Sequence, residues 1–90
     1  MDSQNTTDGS VQNKAPELTY GQKAVGLTFN PGGNPQVNTI KQGCADLIDL
    51  LSAECIKEGV TPEKNAILLE SIRQIQTAQM WAVKGVTYPF

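Results

Sequence analysis

From Val37 onward, apolar side chains recur at Val37, Ile40, Cys44, Leu47, Leu51 and Cys55, a rhythm of three and four that lays one stripe along a helix. Asn34-Pro35 marks the start, with Asn34 capping the first free amides and Pro35 at the first helical position, where its missing N–H costs nothing. Gly43 interrupts the stripe at a cost of up to ~1 kcal/mol relative to alanine, and permits a kink or the close approach of another backbone. The helix is expected to end near Glu58. Gly59 suits a left-handed C-terminal position, and Thr61-Pro62-Glu63 restarts a helix with a hydroxyl cap and a proline behind it. The second helix, to about residue 86, carries Leu68, Ile72, Ile75, Ala82 and Val86 on one stripe, with Gln79 as its polar interruption. A link this short forces the two helices antiparallel. The expected fold is all-α, a helical hairpin spanning about 34–58 and 62–86.

Ahead of the hairpin, Val25-Gly26-Leu27-Thr28-Phe29 alternates apolar and small or polar residues, which predicts a short extended segment within Leu18 to Phe29. Asn30-Pro31-Gly32-Gly33 follows, with Pro31 and Gly32 matching the second and third positions of a type II turn. Met1 to Glu17 is dominated by Asn, Gln, Ser, Thr, Asp and Gly and cannot offset its own ordering entropy, so it reads as a disordered arm. The domain organisation is then a flexible arm, 1–17, and one hairpin domain, 18–90. Ile67, Leu69, Ala78, Met80, Trp81 and Val83 lie off the second helix's stripe, leaving more apolar surface than one partner helix covers. Two helices alone make a meagre core, so a homo-oligomer burying Met80 and Trp81 at its interface is the economical solution.

Ninety residues allow one domain at most. No apolar run is long enough for a signal peptide or a membrane span, so no membrane is expected and the cytoplasm is the default location. Cys44 and Cys55 sit on one helix, roughly 16 Å apart at 1.5 Å per residue, and cannot pair with each other; they read as buried free thiols. A net charge of -2 with seven basic residues argues against a duplex nucleic-acid partner, whose binding comes from neutralising many phosphates. With no histidine, paired-cysteine spacing, Walker loop or dinucleotide fingerprint, no catalytic, metal or cofactor site is expected, and the chain does not read as an enzyme. Asp46 and Asp49 stand three apart, and read as part of a solvated face rather than as a carboxylate pair.

The helix entrance is the candidate site. Gly32 and Gly33 expose amides just before a helix N-terminus, an arrangement that favours an anion. Asn34, Asn38 and Lys41 follow at spacings of four and three and are expected on a polar face opposite the Val37 stripe. Tyr20 and Phe29, with Asn30, lie just upstream, and either ring could stack on a base, an interaction worth ~1–3 kcal/mol. Arg73 and Lys84 form a second candidate anion site if copies converge around a symmetry axis.

The run from Val25 to Lys41, with Ala45-Asp46-Leu47-Ile48-Asp49-Leu50-Leu51 and Thr77-Ala78-Gln79-Met80-Trp81-Ala82-Val83-Lys84, resembles a small family of phage proteins. These are cyclic-oligonucleotide sponges that antagonise CBASS and, in a related branch, Thoeris immunity. The resemblance covers roughly Val25 to Pro89. It implies a hairpin assembled into a homohexamer in the host bacterial cytoplasm, sequestering cyclic di- or trinucleotides, or cyclic ADP-ribose isomers, without cleaving them. It also implies that a lysine early in the first long helix, matched by Lys41, meets phosphate, and that an upstream aromatic, Phe29 or Tyr20, stacks on a base. A hydroxyl found just beyond that lysine in some members is replaced by Gly43, and Arg73 or Lys84 would serve a separate site. The alternative from another class is a phage accessory factor whose exposed helical surface, around Met80 and Trp81, captures a host protein.

Overall fold

The computed structural model describes residues 17–90, so the expected arm, but for Glu17, lies outside the described residues. Three helices form: α1 (Tyr20–Ala24), α2 (Pro35–Cys55) and α3 (Pro62–Thr87). No strand occurs among the described residues. The hairpin of α2 and α3 forms where the periodicity places it. Asn34 caps α2 by accepting from the Gln36 amide at 2.8 Å, and Thr61 caps α3 by accepting from the Lys64 amide at 3.1 Å. Gly59, at φ +83°, turns the chain between them, and α2 stops at Cys55, short of Glu58. The first turn of α2 and the last turn of α3 line a common groove, which makes the pair antiparallel.

The expected extended segment is a helix and its stop. Thr19 and Gln22 form a reciprocal capping box, Thr19 Oγ1 accepting from the Gln22 amide at 3.1 Å and the Thr19 amide donating to Gln22 Oε1 at 2.9 Å. At the other end, the Leu27 amide reaches the Gln22 carbonyl and the Gly26 amide the Lys23 carbonyl, with Gly26 at φ +62°. This is a Schellman closure, and it explains the misleading alternation: Val25 and Leu27 flank a left-handed glycine and turn inward rather than lying along a strand. The turn after Phe29 also differs from type II. The Gly33 amide donates to the Asn30 carbonyl at 3.0 Å, and the left-handed residue is Gly33 (φ +63°), not Gly32.

Docking of α1 on α2 sets the phase of α2. A Cβ on Gly21 would stand 2.2 Å from the Ala45 carbonyl oxygen, so only glycine permits this approach, and the Gly21 amide donates to Asp49 Oδ1 at 2.7 Å. Asp49 is therefore half-buried and holds α1 rather than facing solvent. The buried face of α2 becomes Val37, Lys41, Ala45 and Ile48, while Leu47 is left exposed, contrary to the expected stripe. The core is Val25, Ala45, Ile48 and Ile72, with Ala24, Leu27, Cys44, Leu51 and Ile75 packed around it. Complete burial of Ile48 contributes about 1.5–3 kcal/mol. On α3, Ile72 and Gln79 are buried, whereas Ala82 and Val86, expected on the covered stripe, are exposed at the open end of the hairpin. No Cβ contact hems in Gly43, and α2 runs through it unbroken.

Candidate functional site

The α1 stop and the Asn30–Gly33 turn bring the chain back over the first two turns of α2. Lys41, expected on a polar face, lies beneath this crossing and is only 5% exposed. Its Nζ donates to the Gly26 carbonyl at 3.0 Å and to the Phe29 carbonyl at 2.5 Å. Burial follows from those bonds, because two carbonyls turned inward by the Schellman stop and the following turn need a donor and the ammonium supplies it. No carboxylate stands within ion-pair reach of Lys41 among the described residues, whose ion pairs are Lys23 with Glu17, Lys57 with Glu54 and Arg73 with Glu70. A buried ammonium with dipolar but no anionic partners leaves a local positive potential. Two of its three protons are taken by these carbonyls, and the third has no hydrogen-bond acceptor among the described residues.

The Lys41 ammonium also sits 5.5 Å from the centroid of the Phe29 ring, within cation–π range, although that ring is 72% exposed. Both residues line a groove of about 490 Å³. Asn30, Gly32, Asn34 and Val37 form one wall, and Val83, Val86, Thr87 and Tyr88 of the α3 end form the other. The α3 wall is the part sequence reasoning missed. Tyr88 lies just past the helix, and only the antiparallel return brings it opposite Phe29.

The remaining expected site residues separate. Gly33 and Asn38 line a second pocket with Leu27, Thr28, Asn30 and Gln42, so Asn30 is common to both spaces. Tyr20 is exposed on α1 and does not line the Phe29–Lys41 groove. Arg73 is held on the α3 surface by Glu70, with Nη2 to Oε1 at 2.7 Å, and this bond, with one from Gln74, holds the Glu70 carboxyl below its usual range. Lys84 covers the Trp81 ring at 5.1 Å. Eleven residues apart on one helix, Arg73 and Lys84 stand roughly 16 Å from each other and form no joint site within a chain. Met80 and Trp81 are 62% and 66% exposed.

Among the described residues no group of three or more His, Cys, Asp or Glu is placed to hold a metal ion, and no helix is long and apolar enough to cross a membrane. Both cysteines are free and half-buried, and burial raises the Cys44 thiol above its ordinary value. The groove offers an aromatic face and an ammonium donor, a pair suited to a base and a phosphate; the Gly33 amide, expected to be open to an anion, is instead bonded to the Asn30 carbonyl.

A family model described as the Acb2/Tad1 hairpin domain matches residues 22–87. No curated protein and no solved structure matches the chain.

Proposed function

The chain belongs to the Acb2/Tad1 hairpin-domain family, the anti-CBASS and anti-Thoeris sponges, and from that premise we propose that it captures cyclic di- or trinucleotides, or cyclic ADP-ribose isomers, and withholds them intact from host effectors. The observation that carries this reading is the buried ammonium of Lys41, with no carboxylate partner among the described residues, beside the exposed Phe29 ring. An anionic ligand supplies a counter-charge that no described residue provides, and its base has an aromatic face ready to receive it. In this reading Lys41 meets phosphate, Phe29 stacks, Tyr88 closes the far wall, and Asn30, Gly32 and Asn34 line the entrance. Capture in the host cytoplasm without chemistry suffices, because the effector responds to free messenger.

The family reading also carries an assembly. Among the described residues four form the core cluster while twelve large apolar side chains are exposed, Met80 and Trp81 among them, so these helices bury too little to stand well alone. We assign Met80 and Trp81 to contacts between copies, in a homo-oligomer whose expected size is six. Around its axes, copies of Arg73, once released from Glu70, or of Lys84 supply a second anion site. Titration calorimetry against cyclic dinucleotides, cyclic trinucleotides and cyclic ADP-ribose isomers tests the reading. Binding of at least one at micromolar concentration or below is expected, and no binding across the panel contradicts it.

A further inference from the structure

We propose that the polar pocket on the far side of Asn30 is a base-edge subsite in which Asn38 selects a carbonyl-bearing nucleobase. The inference rests on the reading that the chain binds cyclic oligonucleotides and concerns which base it prefers. The pocket, about 500 Å³, is lined by Leu27, Thr28, Asn30, Gly33, Asn38 and Gln42. It contains no charged side chain, and its polar lining is amide and hydroxyl, the chemistry that reads base edges rather than phosphates.

The orientation of the Asn38 amide follows from backbone groups that cannot turn over. Asn30 Oδ1 accepts from the Asn34 amide at 3.3 Å, and Asn30 Nδ2 donates to the Asn34 carbonyl at 2.9 Å. Reversing Asn30 would set donor against donor and acceptor against acceptor, so its Nδ2 is fixed. The second proton of that Nδ2 goes to Asn38 Oδ1 at 3.0 Å. Asn38 must therefore present oxygen to Asn30, which leaves its own Nδ2 protons unspent among the described residues. Gln42 is oriented in the same manner. Its Nε2 donates to Asp46 Oδ1 at 2.7 Å, a carboxylate that only accepts, and its Oε1 accepts from Gln22 Nε2 at 3.2 Å.

Beside the Thr28 hydroxyl, which can donate or accept and so fits either base edge, the fixed N–H donor of Asn38 is the group that discriminates between bases. Guanine O6 and uracil O4 accept a hydrogen bond, whereas adenine offers an amino donor at the equivalent position. Asn38 stands one helical turn from Lys41 on α2, and Asn30 divides the two spaces. In this reading a phosphate sits at Lys41 and a base beside Asn38, on the two sides of Asn30.

The test compares 3′,3′-cyclic GMP–AMP with 3′,3′-cyclic di-AMP, ligands that differ in one base, by calorimetry on the full chain and its variants. The wild type is expected to favour the guanine-containing ligand roughly tenfold. Asn38→Asp keeps the acceptor that Asn30 uses and removes the outward donors, so the preference is expected to vanish or invert toward adenine. Its added charge weakens both ligands alike and does not move the ratio. Asn38→Ala, which removes both polar atoms, is expected to bring the ratio near unity. An unchanged ratio in both variants, or a wild type indifferent to the base, overturns the inference while leaving capture intact. A wild type that binds neither ligand nor any other of the family's cyclic nucleotides overturns capture and the subsite together.

Discussion

Lys41 and Phe29 are joined twice, once through the lysine ammonium donating to the phenylalanine carbonyl and once through the same ammonium standing 5.5 Å from the ring centroid. The residue expected to meet ligand is thus also the one that fastens the loop bearing the expected stacking ring. Fold and site share a single charge, and changes at position 41 are expected to register in both.

Substituting Lys41→Met keeps the length and removes the donor. The Gly26 and Phe29 carbonyls lose their partner, an effect of about 1–3 kcal/mol on unfolding free energy, readable as a lower urea midpoint. Ligand affinity is expected to fall about ten- to a hundredfold, as for loss of a charge-assisted hydrogen bond. Full retention of affinity would remove Lys41 from the site.

Gly21→Ala is expected to be among the most damaging single-methyl additions, because the new Cβ meets the Ala45 carbonyl oxygen at 2.2 Å. A loss of about 1–3 kcal/mol follows from overpacking against backbone. The same change at Gly43, where a Cβ meets nothing within 4 Å, is expected to be neutral or slightly stabilising in one chain. Comparing the two by chemical denaturation checks the packing of α1. Asp49→Ala is expected to weaken the same joint by roughly 1 kcal/mol, the worth of a cap.

The hairpin was legible in the sequence because its signals are local: Asn34-Pro35, Gly59 and Thr61-Pro62 stop and start helices without reference to anything distant. The segment before it misleads for the opposite reason. Alternation at Val25, Leu27 and Phe29 matches a strand, yet Thr19 and Gln22 already held a capping box and Gly26 a helix stop. Lys41 could not be placed from its helix alone, since its burial depends on carbonyls fifteen and twelve residues away. The resemblance named the lysine and left Phe29 and Tyr20 competing, and the geometry puts Phe29 in the groove with Lys41 and Tyr20 outside it. Tyr88 carried no local signal, because its relation to the groove exists only once α3 folds back.

The Cys44 thiol, raised by burial, holds less thiolate than an ordinary cysteine at mildly alkaline pH. Its alkylation by iodoacetamide at pH 8, followed by peptide mapping, is expected to run slower than for a free cysteine. A folded-state value above the unfolded one means the native state holds this proton more tightly. The associated stability is present below about pH 9.0, the ordinary value, and is lost as pH rises through the folded value.

Trp81→Ala together with Met80→Ala is expected to lower the native mass of the assembly or shift its dissociation to higher concentration, with little effect on hairpin helicity, since both side chains lie outside the core of one chain. An assembly of unchanged mass and strength would place the interface elsewhere.

The most direct test is native mass spectrometry of the full chain at micromolar concentration, with and without a cyclic dinucleotide, followed by denaturation and chromatography of whatever is released. The account predicts a discrete multimer that gains whole ligand masses and returns the nucleotide unaltered. A monomer that gains none, or a linearised nucleotide in the released fraction, would contradict it.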